Sequence, residues 1–163
     1  MPSDVIIKVK CPVYLIRFQE SFFGIPQGEP ICYPKRHHFS EVLDHFLTKP
    51  PLDIHAFPDY GEETLKIMLP YFEDKDVRSY FYLSNTKQKV FVWHTWAFYR
   101  VTARTELTKL ILLKCQKQDC VSIFMEKYNL PENSRGMVEK DYQRYLKLTS
   151  KNALKKLRKI SSV

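Results

Sequence analysis

Proline and glycine divide this chain into two unlike parts. Nine of its ten prolines and three of its four glycines precede Asp76, and the 88 residues from there onward hold only Pro131 and Gly136. Proline removes a backbone donor and glycine weakens a helix, so a long stretch with one of each is free to be almost wholly helical. The earlier part must turn often. At 163 residues and 44% hydrophobic, the chain is large enough to bury a sizeable core. The pattern predicts an α+β protein. A small antiparallel sheet with helices occupies residues 1–72, and a helical part follows over 73–163.

In the first part, residues 4–11 alternate apolar and basic through Ile7, Lys8, Val9 and Lys10, the period of a half-buried strand. Pro12 suits the first turn of a helix that buries Leu15, Ile16, Phe18, Phe22 and Phe23 and stops at Gly24. This strand–helix start is shared with ribbon–helix–helix DNA-binding dimers, in which Lys8 and Lys10 would enter the major groove; the plainer reading leaves those lysines facing water. A Pro/Gly loop spans 25–36. A helix follows near 39–48 with Phe39, Val42, Leu43, Phe46 and Leu47 on one face and Ser40 and Glu41 near its start. Alternation over 52–57, a turn at Asp59-Tyr60-Gly61 and a second run over 64–69 predict a β-hairpin.

Beyond Asp76 the expectation is a short helix at 76–83 and a long one, capped by Ser84 or Asn85, reaching about Lys114. Its apolar face is read as Val90, Trp93, Ala97, Val101, Leu107, Leu110 and Ile111. The last segment reads as a helix over 119–128, a connection over 129–134 and a second helix, a helix–turn–helix-like hairpin at 119–150. A basic tail covers 151–163. Val121, Phe124, Met125 and Tyr128 face the core from the first helix, Leu130 plugs the turn, and Met137, Val138, Tyr142, Tyr145 and Leu146 face it from the second.

Charge is concentrated at this end. Residues 135–163 hold nine Lys and Arg against two acids, a net +7, while the whole chain carries +8. Such segregation points to a polyanionic partner, and on a helical hairpin duplex DNA is the expected one. Arg135, in the first turn, is assigned to a base edge with Asn133 and Ser134 beside it. Lys140, Arg144, Lys147, Lys151 and Lys155 are assigned to phosphate.

Other chemistry finds weaker footing. No run of ~18 apolar residues marks a membrane helix, and the N-terminus lacks a signal-peptide layout. Cys11, Cys32, Cys115 and Cys120 form no CxxC pair and read as reduced core thiols of a cytoplasmic protein. His38 and His45, seven apart, share a helix face near Glu41 and Asp44, but no HExxH accompanies them. Lys35, Arg36, His37 and His38 form a second small basic cluster. The aromatics Phe91–Tyr99, with Arg100 and Arg104, read as core more readily than as stacking platforms for single strands. Glu62, Glu63, Glu73, Asp74 and Asp76 read as a solvated acidic rim. No cofactor or metal is expected, and no catalytic role.

The stretches DYGEETLKIMLPYFEDKDVRSYFYLS (59–84) and FMEKYNLPENSRGMVEKDYQRYLK (124–147) resemble small proteins encoded by mobile elements or prophages of Bacteroides-type bacteria. The second stretch looks like the helix–turn–helix portion of regulators of that kind. The matching positions are Glu126, Lys127, Tyr128, Lys140, Asp141, Tyr142, Arg144 and Tyr145. The resemblance implies a DNA-binding or regulatory role, and the chain is read as a transcriptional regulator or mobile-element accessory factor; a homodimer is a further expected assembly. Two alternatives stand beside it: a protein-interaction or phage structural module, and a metal-dependent nuclease or recombination enzyme using the His and acid residues of 37–76.

Overall fold

Alternating burial sets the first strand. In the computed structural model, β1 (Pro2–Lys10) runs antiparallel to β2 (Thr64–Pro70), with Ile7 opposite Ile67 and Val9 opposite Leu65. All four of these side chains are fully buried or nearly so. Lys8 and Lys10 turn the other way and pair with Asp59 at 2.7 Å and Glu63 at 3.7 Å. The structure describes residues 2–53 and 58–160, leaving aside the side chains of Pro2 and of 153–160. It divides into two units, Met1–Tyr99 and Arg100–Val163. The boundary expected near residue 72 falls inside the first.

Within the first unit the sheet differs from the predicted hairpin. The partner of β2 is β1, while Leu52 and Asp53 form a turn and residues 54–57 lie outside the described ones. On the other edge of β2, Ile31 donates to the Lys66 carbonyl and accepts from the Met68 amide, both at 3.0 Å, as a one-residue parallel bridge. Helix α1 (Val13–Phe23) follows Pro12 and ends where Gly24 takes a left-handed φ of 66°. Helix α2 (His38–Phe46) is capped by His37, whose Nδ1 accepts from the Phe39 amide at 3.2 Å. Ser40, expected near the cap, is buried and donates to the carbonyls of Tyr33 and Pro34. The helix expected at 76–83 is only a turn at 77–79, held by the Asp76 carboxylate, after which Tyr82 bridges Thr48.

Helix α3 (Asn85–Leu112) begins after Ser84, whose Oγ accepts from the Lys87 amide. In the first unit its inward residues are Phe91, Thr95 and Tyr99, spaced by four. Val90 and Trp93, expected on the core side, are exposed, Trp93 at 57%. Aromatics populate several faces of this helix, so hydrophobicity alone misassigns its orientation. Phe18, Tyr33, Phe39 and Phe91 form the ring-rich core, with Phe98 half-buried against Phe18 and Phe39. A polar string crosses it: the Tyr33 hydroxyl donates to Gln19 Oε1, and Gln19 Nε2 donates to Thr95 Oγ1 at 3.0 Å. All three side chains are essentially inaccessible, which their mutual bonds make tolerable.

The described residues of the second unit form helices joined by short connections. It takes residues 100–112 of α3, α4 (Lys117–Lys127) and α5 (Arg135–Ile160), the last two joined through a 3-10 turn at Glu132–Ser134. Ala103 and Leu107 bury from α3, and Val101 is exposed at 66%. Cys120, Val121, Phe124 and Met125 bury from α4; Val138 and Tyr142 bury from α5. Leu130 fills the connection as expected. Two helix ends here use left-handed residues other than glycine, Lys114 (φ 63°) after α3 and Asn129 (φ 49°) after α4. The predicted tail is continuous with α5 as far as Ile160.

All four cysteines are free; Cys11 and Cys120 are buried. Burial, with Glu63 adding to it, pushes the Cys11 thiol up to about 12, so it stays protonated. Among the described residues, no helix is long and apolar enough to cross a membrane.

Candidate nucleic-acid interface

Helical spacing gathers four cations on α5. Lys140, Arg144, Lys147 and Lys151 follow one another by four, three and four residues, so they lie within a sector of about 60° and span about 16 Å along the axis. All four are exposed. Val138 and Tyr142, turned to the opposite side, are each 2% accessible. Among the described residues, none of the four makes an ion pair. Like charges at these spacings repel by about 0.2–0.5 kcal/mol per pair, so the stripe costs the isolated helix something that a bound polyanion removes.

The two acids of this segment do not offset the stripe. Asp141 is turned toward α3, where its Oδ1 lies 2.9 Å from Arg100 Nε and accepts from Arg104 Nη2 at 3.1 Å. Arg104 Nε donates to Oδ2 at 3.3 Å, and the same guanidinium lies 5.2 Å from the Tyr145 ring. Thr108 and Tyr142 hydroxyls meet at 3.3 Å below this cluster. Glu139 is half-buried at the side of the stripe. Sequence reading missed the clamp on Asp141. Its signal was present as two arginines four apart on one helix with a single acid to serve both.

The start of α5 departs from expectation. Arg135, assigned to a base edge, has its guanidinium bound to the Glu132 carboxylate three residues earlier and to Ser122 Oγ at 3.1 Å. That hydrogen-bonded pairing holds Glu132 below the ordinary carboxylate range and Arg135 above its own. Ser134, expected beside Arg135 in recognition, is buried; its Oγ donates to the Pro131 carbonyl at 2.6 Å. Asn133 is exposed in the connection. Of the eight residues assigned from sequence, four therefore share one outward face, Asn133 lies apart from it in the connection, Ser134 and Arg135 are engaged internally, and the Lys155 side chain lies outside the described residues.

A second cluster closes α4 against α3. Glu106 accepts from Lys127 at 2.8 Å and from the Tyr128 hydroxyl at 2.6 Å. Burial, followed by the bond to Glu106, raises the Tyr128 pKa well above its usual value. Lys127 and Tyr128 are thereby bracing residues. In the first unit Lys35 pairs with Glu73, so that basic cluster too is partly satisfied internally.

No protein-family model matches the chain, and no curated protein or solved structure matches it either.

Proposed function

We propose that the protein binds nucleic acid without catalysing a reaction, docking duplex DNA along the outward face of α5. One observation carries this reading: four exposed cations, unpaired among the described residues, aligned on one face of a helix that buries Val138 and Tyr142 on the opposite side. A duplex presents about one phosphate charge per 1.7 Å of axis, so a 16 Å stripe meets more acceptors than it needs. Phosphate contacts of this kind position a protein without reading sequence. With Arg135 and Ser134 engaged elsewhere, the affinity proposed is general, and base preference is a secondary property. The resemblance to regulators of mobile elements supports a role as a regulator or accessory factor acting on DNA inside the cell.

A second reading keeps the same face and changes the occupant. Leu148, 58% exposed beside the stripe, would give an acidic protein an apolar contact that a phosphate backbone has no use for. Fluorescence anisotropy with labelled duplex, single strand and RNA separates the readings. Saturable binding that favours duplex and is lost in Lys140→Ala/Arg144→Ala/Lys147→Ala/Lys151→Ala supports the proposal. Equal binding by that variant, or no binding by the native chain, overturns it.

A further inference from the structure

Two imidazoles from different helices meet at the surface of the first unit. His38 opens α2 and His94 lies in the third turn of α3. His38 Nε2 and His94 Nδ1 are 3.0 Å apart, although 56 positions separate them in sequence. Their ring centroids are 4.9 Å apart, with planes inclined at 61°. Phe39 packs beside His38, and Phe46 and Trp93 beside His94, so both rings are held in place by neighbours. His38 is exposed and His94 half-buried, which leaves the meeting point open to ions.

The separation fits coordination. A late first-row divalent ion holds an imidazole nitrogen at about 2.0–2.1 Å, and two such bonds at roughly 90–110° place their nitrogens about 2.9–3.4 Å apart. Without an ion, 3.0 Å suits one N–H···N hydrogen bond, in which one of the two nitrogens carries a hydrogen. Moving that hydrogen to the other nitrogen of the same ring frees both lone pairs. The neutral pair loses no proton in the exchange. Burial, and then the proximity of His38, lowers the His94 pKa from its ordinary value.

We infer that His38 and His94 form a two-imidazole seat for a divalent late transition-metal ion, with water completing the coordination. Among the described residues no group of three His, Cys, Asp or Glu gathers to hold a metal. Nitrogen ligands alone favour Cu2+, with Ni2+ and Zn2+ weaker. Ca2+ and Mg2+ need oxygen-rich sites and are not bound here. A bound ion ties α2 to α3. The seat is independent of the cationic face on α5, and so is its test.

Calorimetric titration of the full chain with Cu2+ in a weakly coordinating buffer is expected to show one saturable site. Electron paramagnetic resonance of the one-to-one complex is expected to show hyperfine coupling to two nitrogens. His38→Gln and His94→Gln each weaken binding by at least about tenfold, the scale on which metal sites respond to lost supporting groups, while His45→Gln leaves it unchanged. Absence of saturable binding by the native chain overturns the inference. So does retained affinity in either of the first two variants, or equal weakening in His45→Gln. Should a variant fold poorly by circular dichroism, imidazole nitrogen resonances of the native chain decide. Selective broadening of His38 and His94 by substoichiometric Cu2+ supports the seat, and broadening elsewhere overturns it.

Discussion

Replacing Arg144 by Glu separates binding from folding, because the two respond in opposite directions. Arg144 sits in the middle of the α5 stripe, four residues after Lys140 and three before Lys147. The substitution turns two repulsive neighbour pairs into attractive ones, a gain of about 1 kcal/mol in helix stability at low salt. Glutamate is as good a helix former as arginine, so backbone propensity is unchanged. Binding moves the other way. Four phosphate contacts give a slope of log K against log salt of about −3.6, hence an affinity loss of about 150-fold between 50 and 200 mM salt. With three contacts the slope is about −2.7 and the same change costs about 40-fold. Participation by Lys155 steepens both slopes and leaves their difference near 0.9. Anisotropy titrations of labelled duplex at four salt concentrations give the slopes, and urea melts give the stability. An unaltered slope in Arg144→Glu, or a native slope shallower than about −1, refutes the assignment of the stripe to phosphate.

Asp141→Asn leaves Arg100 and Arg104 without their shared carboxylate. With the Asp141 side chain only 20% exposed, the loss falls between that of surface and buried ion pairs, about 2 kcal/mol in a urea melt. Lys114→Gly relieves a left-handed φ of 63° on a residue with a Cβ and raises stability by about 0.5–1 kcal/mol in the same assay. Asp59 is held down to about 2 by Lys8, then by the Gly61 amide and the Thr64 hydroxyl. Its folded pKa lies below the unfolded value of about 3.9, so its contribution is present above that pH and is lost as pH falls through about 2. Melts of the native chain and Asp59→Asn should therefore differ at pH 5 and converge toward pH 2.

The parts of this structure that follow from neighbouring residues were legible in the sequence. Alternation at Ile7 to Lys10, Pro12 before a helix, Gly24 after it and Ser84 before another each act within a few positions, and each is found in place. The 4-3-4 spacing of Lys140, Arg144, Lys147 and Lys151 is equally local. Partners distant in sequence were not legible. The strand facing β2 begins more than fifty residues earlier, and no local pattern distinguishes it from the alternating run at 52–57. Nothing near Gln19 in the sequence marks its burial; its partner Thr95 lies 76 positions away. His38 finds its neighbour in His94 and not in His45, which shares its own helix. Arg135 is different: Glu132 stands three residues before it, a spacing that already signals an ion pair.

The clamp on Asp141 has a consequence for the stripe beyond stability. Asp141 precedes Arg144 by three residues, close enough on a helix for the two to pair. Arg100 and Arg104 hold the carboxylate against α3, and among the described residues Arg144 has no acid partner. Two cations of α3 are thereby used internally to keep one cation of α5 available outside. Their removal is expected to act at a distance on binding. In Arg100→Gln/Arg104→Gln the carboxylate is released to Arg144, and the salt slope for duplex falls by up to about 0.9 although no residue of the stripe has changed. Asp141→Asn removes the competing acid altogether and leaves the slope at its native value despite the lost stability. A double arginine variant that remains helical by circular dichroism yet keeps the native slope would show that Asp141 never competes for Arg144, and that the clamp serves folding alone.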